Sequence, residues 1–197
     1  MRIDPVPVNT EKYASRAYLI RGDFNKLEDI NALVDTGADQ SAADFIETIN
    51  TGAGKRKLDL IVLTHCHFDH TGGVKELKKR FGTPVAAMSG EIYVDRILKN
   101  GDILKLGDRN FEVIHCPEHS NDSVLLYNWD KKILFSGDTN FDFKSSDFTL
   151  GKRFVEVFER LMELGVDVLY PGHGSKIENF QSVMKRSYDF IKKATVI

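Results

Sequence analysis

The sequence has few cysteines and no long apolar run. Cys66 and Cys116 are its only cysteines, which is too few for a disulfide framework, so we expect two inert, reduced thiols. No uninterrupted apolar stretch approaches the ~20 residues that span a bilayer. The first residues lack the apolar core of a secretory signal. We therefore predict a cytoplasmic protein with no membrane partner.

An excess of charge of one sign is also lacking. The 27 Lys and Arg residues against 29 Asp and Glu residues give a net charge of -2, which argues against a nucleic-acid partner held by bulk positive charge. With 197 residues, 42% of them hydrophobic, the chain is long enough for one substantial core. We predict a single domain over residues 1–197 with a small-molecule substrate, and a homodimer on base rates alone.

Short apolar runs alternate with amphipathic segments along the chain. Patterns typical of strands occupy 17–20, 31–34, 58–63, 85–88, much of 103–135 and 168–170, and helical periodicity occupies 41–49, 154–164 and 177–193. Thr71 is predicted to cap another helix that ends near Gly82. This order predicts an α+β fold with two sheets and helices packed outside them.

Three histidines fall within six residues directly after an apolar strand. They are His65, His67 and His70, with Asp69 beside the last of them. Imidazole and carboxylate together suit zinc, iron or manganese better than calcium or magnesium. Four cysteines would be typical of a closed structural site, and this pattern does not supply them. The cluster therefore predicts a catalytic metal site with positions open for water.

Further candidate ligands also follow predicted strands, so their loops can converge on one point. The residue types allow two metal ions: one held by three histidines, one held by two histidines and an aspartate, and a second aspartate between them. The first ion would be held by His65, His67 and His119, and the second by Asp69, His70 and His173. Asp138 would lie between them as the bridge. His115 is predicted to be structural.

The segment Thr-His-Cys-His-Phe-Asp-His-Thr-Gly-Gly at 64–73 resembles the HxHxDH signature of the metallo-β-lactamase superfamily. Four more segments resemble further motifs of this family in the same order, namely 33–38, 117–120, 135–139 and 171–174. The resemblance implies a four-layer αββα sandwich. It also supports the ligand assignment.

Within that family the motifs resemble the glyoxalase II branch. Asp138 stands where zinc β-lactamases commonly use a cysteine, and Glu118 stands where glycine is usual, which we expect to reshape the pocket beside His119. The branch usually adds a helical domain that helps to bind glutathione. Only residues 174–197 follow His173, so we expect this substrate grip to be missing.

The resemblance and the ligand set together imply a binuclear hydrolase of a small acyl compound, a thioester or a lactone. Two metal ions, zinc or else iron or manganese, would share a hydroxide at neutral pH. Asp69 and Asp138 are the predicted catalytic carboxylates, and Asp35 is predicted to orient a ligand histidine or a loop amide. Phosphodiester hydrolysis and a mononuclear iron persulfide dioxygenase remain alternatives. Residues 140–152 are predicted either as a lid or as a solvated loop.

Overall fold

The structure, a computed structural model, describes residues 1–9, 13–51, 54–90 and 93–197, and within them the chain forms two large sheets. The first sheet contains, in spatial order, β1 (Arg2–Val6), β2 (Ala17–Arg21), β3 (Ala32–Val34), β4 (Leu60–Val62), β5 (Val85–Ala87) and β6 (Arg96–Ile97). The second contains β7 (Ile103–Leu106), β8 (Arg109–His115), β9 (Val124–Asn128), β10 (Ile133–Gly137) and β12 (Val168–Pro171), in the spatial order β12-β10-β9-β8-β7. The short strands β11 (Thr149–Leu150) and β13 (Thr195–Val196) pair with each other.

Five helices are described: α1 (Ser41–Thr48), α2 (Phe68–Thr71), α3 (Val74–Phe81), α4 (Lys152–Leu164) and α5 (Phe180–Ile191). The prediction that Thr71 caps a helix is wrong. The backbone N–H and the hydroxyl of Thr71 both donate to the carbonyl of His67, each at 3.1 Å. Thr71 therefore ends the short helix α2, and Gly73 precedes α3.

The layers follow from the alternation of side chains along the strands. In β3, Leu33 packs with α1 and α3, whereas Ala32 and Val34 face the second sheet. In the same way Leu125 packs beneath α4 and α5, while Leu126 joins the core between the sheets. Helices therefore cover both outer faces, and the predicted four-layer αββα sandwich is confirmed.

The sequence patterns missed four strands. Pro5 argues against a strand because proline cannot donate to a sheet ladder, but β1 is an edge strand where proline is tolerated. The other missed strands, β6, β11 and β13, have two residues each. Two residues are too few for any periodicity to appear.

The sheets bring five strand ends to one edge of the sandwich. Strand β3 runs parallel to β4, and β10 runs parallel to β12. Strand β8 points the same way as β10, because both are antiparallel to β9. The carbonyl of Thr64, just past β4, accepts from the backbone N–H of Val124 at 2.8 Å, which ties the two sheets together at this edge. Every loop that carries a predicted ligand leaves from here.

No helix in the described parts of the chain combines the length and the apolar character that a membrane crossing requires.

The buried layer between the first sheet and its helices should contribute to stability. Leu33 is fully buried there, so Leu33→Ala should lower the free energy of unfolding by about 2–5 kcal/mol. Urea unfolding followed by circular dichroism measures this. The matched control is Leu27→Ala, because Leu27 is 74% exposed and its removal should change stability by less than about 0.5 kcal/mol. Equal losses in both variants would contradict the assigned layers.

Candidate metal centre

All seven predicted ligands meet at this edge of the sandwich. They form two groups, and within each group the ligand atoms lie within 4.8 Å of one another. The first group is His65, His67 and His119, and the second is Asp69, His70, Asp138 and His173. The groups match the predicted sets except that Asp138, which was predicted as a bridge, falls in the second group while lying close to both. Its Oδ2 lies 3.4 Å from Nε2 of His173 and 3.7 Å from Nε2 of His119.

The donor atoms fit a metal because several of them are buried without a hydrogen-bond partner. Nε2 of His65, Nε2 of His70 and Oδ1 of Asp138 are all in this state. The last two atoms face each other at 3.2 Å without hydrogen-bond geometry. Buried polar atoms normally find a partner, and a cation between these groups would be shared by all three. Nitrogen and carboxylate donors in this combination suit divalent transition metals.

Asp35 holds the floor of the centre, as the sequence predicted for it. Its carboxylate accepts the backbone N–H and the hydroxyl of Thr64, both at 2.8 Å. Nδ1 of His70 lies 2.8 Å from Oδ2 of the same carboxylate, which directs Nε2 of that ring into the centre. Burial alone would lower the pKa of His70, but the charges of Asp35 and Asp138 raise it to about 10, so a metal ion that binds Nε2 would displace a proton from this ring.

The hydroxyl of Thr64 extends this network to a second histidine. Its proton is committed to Asp35, and its oxygen lies 3.2 Å from Nδ1 of His65. That contact is satisfied when Nδ1 of His65 carries the proton, which leaves Nε2 free as a ligand. Burial lowers the pKa of His65 to about 4, so the ring is neutral at pH 7. No sequence pattern indicated this positioning role of Thr64.

A second positioning carboxylate, Asp122, was also missed. Its Oδ2 accepts the backbone N–H of Cys66 at 2.9 Å, and its Oδ1 accepts the hydroxyl of Ser120 at 2.7 Å. These bonds join the loop that carries His65 and His67 to the loop that carries His119. Asp122 lies three residues after a ligand in a turn, and no sequence pattern distinguishes it from an ordinary turn residue.

Two glycines allow the loops to approach one another. Gly137 has φ +52°, and a Cβ there would lie 2.5 Å from Oγ1 of Thr64. At Gly172 a Cβ would overlap Oδ1 of Asp138 and lie 2.8 Å from Cε1 of His70. The backbone before His173 thus forms part of the wall of the centre.

The remaining predicted residues lie outside the two groups. Cys116 is fully buried, and burial raises the pKa of its thiol to about 12, so the thiol stays neutral. Cys66 packs against the core beneath α1 and α3. His115 is structural, as predicted, with Nε2 2.9 Å from the carbonyl of Asn121. In the segment 140–152, Phe141 belongs to the core of the second helical layer, so this residue is a wall of the site.

Convergent strand-end loops on a four-layer sandwich, with two His- and Asp-rich donor groups, define a metal-binding αββα protein. A family model described as "Metallo-beta-lactamase superfamily" matches residues 11–96 and 89–173. The chain belongs to the metallo-β-lactamase superfamily, and the predicted family is confirmed.

Two curated relatives and one solved structure illustrate the match. The chain is 28% identical to the protein named acyl-coenzyme A thioesterase MBLAC2 of Gallus gallus, covering 91% of this chain and 79% of that protein. It is also 28% identical to hydroxyacylglutathione hydrolase GloC of Haemophilus influenzae, covering 97% and 98% respectively. The crystal structure of ETHE1 from Myxococcus xanthus superposes with a TM-score of 0.71 at 21% identity, covering 98% of this chain and 89% of that one; this likeness shows the fold alone. Relatives differ in length, since this chain spans 51% of one matched protein and 98% of another.

The Asp35 carboxylate should tune metal affinity without touching the metal. Asp35→Asn keeps the shape, and asparagine tolerates the left-handed backbone found at this position (φ +57°). It removes the charge that orients His70, so we expect metal affinity to fall about 10–100-fold. Competition with a chromophoric chelator measures the affinity. Asp59→Asn is the control, because that carboxylate also accepts a backbone N–H, from Asn31, but outside the centre. Unchanged metal affinity in Asp35→Asn would show that Asp35 does not position a metal ligand.

The close approach at Gly172 gives a separate prediction. Gly172→Ala should displace Asp138 or His70 and reduce the metal content measured by mass spectrometry of the purified protein. Gly151→Ala is the matched control, because no atom lies within 4 Å of a Cβ placed there. A fully loaded Gly172→Ala protein would show that these loops adjust freely.

Proposed function

We propose that this protein hydrolyses thioesters at a centre of two divalent metal ions, with zinc as the expected metal. One ion would be held by His65, His67 and His119. The other would be held by Asp69, His70 and His173, and Asp138 would bridge the two. The observation that carries the proposal is the pair of donor groups that converge on the Asp138 carboxylate.

The coarser prediction, a metal-dependent hydrolase, is confirmed by the family and by relatives named as hydrolases. The choice of a thioester rests on the relatives, which include an acyl-coenzyme A thioesterase and a hydroxyacylglutathione hydrolase by name. Both names describe an acyl group joined to a thiol carrier. Iron and manganese remain alternatives for the same donor set.

Metal ions at such a centre supply Lewis acidity and a hydroxide nucleophile at neutral pH. The protein would hold these ions so that a substrate can reach them from one side only. His65 and His70 are buried and form the floor, whereas His119 and His173 are about one-third exposed and form the mouth. The thioester carbonyl would therefore enter from this side, where His67 is also exposed. Hydrolysis breaks the C–S bond, forms a C–O bond and releases a carboxylate and a thiol.

Phosphodiester hydrolysis and persulfide oxidation remain alternative predictions, and each would give a different result in metal analysis and activity assays. A phosphodiesterase would act on bis(p-nitrophenyl) phosphate and spare thioesters. A persulfide dioxygenase would hold one iron ion per chain and consume oxygen in the presence of a persulfide. Metal analysis of the purified protein, together with both assays, separates the three activities.

Removal of the bridging carboxylate tests the proposal directly. Asp138→Ala should lower kcat for S-lactoylglutathione or acetyl-coenzyme A by at least about 100-fold, because the two donor groups lose their shared ligand. Steady-state rates with zinc-loaded protein measure this. Asp130→Ala is the control: Asp130 lies in the turn before β10 and faces Arg109 at 3.7 Å, away from the centre. Absence of thioester turnover by wild-type protein confirmed to hold two metal ions would overturn the proposed function.

A further inference from the structure

A cavity of about 430 Å³ opens directly at the candidate metal centre. His119, Asp138 and His173 line its mouth, and it extends between the end of the second sheet and α5. This volume lies within the range of small-molecule sites. Since the cavity and the donor groups share three side chains, a substrate with its carbonyl at the centre has its acyl part at the entrance of the cavity.

Six of the sixteen described residues that line the cavity are apolar, and polar side chains, among them Thr139, Asn140 and Ser175, line the rest of it. Its apolar lining residues come from the loop after Asp138, from β12 and the loop that follows it, and from α5. They are Phe141, Leu169, Pro171, Ile177, Phe180 and Val183. Three of them are almost fully buried, with exposures of 2% for Phe141, 4% for Leu169 and 0% for Phe180. The wall is thus part of the packed core, which makes it a rigid surface.

The charges at the cavity select against an ionised acyl group. No lysine or arginine is among the described residues that line it, and its two carboxylates are those of Asp138 and Asp142. Lys144 pairs with Asp142 at 3.6 Å, so an acyl chain that ends in a second carboxylate would find no unpaired cation there.

We propose that this cavity binds the hydrocarbon chain of the acyl group, so that the substrates are thioesters of neutral aliphatic acids. The inference rests on the proposed thioester hydrolysis and assigns its substrate class. It excludes dicarboxylic acyl groups as preferred substrates. The carrier thiol would remain outside the mouth formed by His119 and His173.

The expected size of the preference follows from the hydrophobic effect. Each methylene group taken from water into an apolar site contributes about 0.8 kcal/mol, which is about a fourfold increase in kcat/KM per methylene. The increase should continue from the acetyl thioester upward and level off when the cavity is full. A site that held only the carbonyl would show no such slope.

The test compares coenzyme A thioesters of acetate, butyrate, hexanoate, octanoate and succinate, with zinc-loaded wild-type protein. We expect kcat/KM to rise with chain length, and the butyryl compound to exceed the succinyl compound by at least tenfold. Equal rates along the series would overturn the acyl cavity and leave the thioesterase standing. Absence of turnover with every thioester would overturn both.

A variant that partly fills the cavity tests whether the acyl chain binds there. Val183→Phe on α5 places a larger side chain in the cavity, so it should reduce the octanoyl/acetyl ratio of kcat/KM at least tenfold. The matched control is Val155→Phe, since Val155 is a half-buried valine that packs against the same helical core and is not among the described residues lining the cavity. Thermal unfolding checks that both variants fold.

A binding measurement gives a readout independent of turnover. Calorimetric titration of the metal-loaded protein with octanoate should show saturable binding that Val183→Phe weakens at least tenfold and Val155→Phe leaves unchanged. Equal octanoate affinity in both variants and in wild type would place the chain elsewhere and overturn the inference.

Discussion

The carboxylate of Asp35 is the interaction on which the site depends. It takes up three hydrogen-bond donors, two from Thr64 and one from His70, and it is held at the end of β3 by a backbone with φ +57° that aspartate tolerates. Through Thr64 it reaches both the ring of His65 and, by the Thr64 carbonyl, the second sheet at Val124. One buried charge therefore sets the orientation of a ligand in each donor group and the contact between the sheets. A longer or displaced side chain at this position would change all of these together.

The same arrangement couples metal binding to the stability of the fold. His65 and His70 are buried and hold unpaired nitrogens at the floor, and Asp138 holds an unpaired oxygen. An unsatisfied buried polar group costs about 1–3 kcal/mol, so the floor is unfavourable until these atoms gain a common partner. A ligand that binds only the folded chain stabilises it by mass action. The free energy lost by burying these donor atoms without partners would therefore be regained when a metal ion binds, so metal binding should stabilise the folded chain.

The extent to which the sequence predicted the structure depends on how local each signal is. His65, His67, Asp69 and His70 lie in one short segment after a strand, so their convergence could be predicted, and the remaining ligands follow strand ends that the apolar pattern reveals. Thr64 and Asp122 join parts of the chain that are remote in sequence, through contacts at separations of 29 and 56 positions, and a single polar residue carries no signature of such contacts. The cavity was equally hidden, because nothing in the sequence places Phe180, on the last helix, beside Phe141. Residues 140–152 were open between a lid and a solvated loop because a phenylalanine in a polar segment fits either pattern until its partners are known.

The candidate metal ligands lie close in sequence to residues that line the cavity. Phe141 follows Asp138 by three residues, and Ile177 follows His173 by four, so the loops that leave the metal centre continue directly into the cavity wall. The floor has no such continuation, since His65 and His70 are held by Asp35 and Thr64 within the first sheet and its loops. Substitutions in the cavity wall can therefore change which acyl group fits while the floor stays in place, but they act on the same loops that carry Asp138 and the partly exposed His173. A change of substrate is easiest from α5, whose Val183 reaches the cavity from a helix that carries none of the seven ligands.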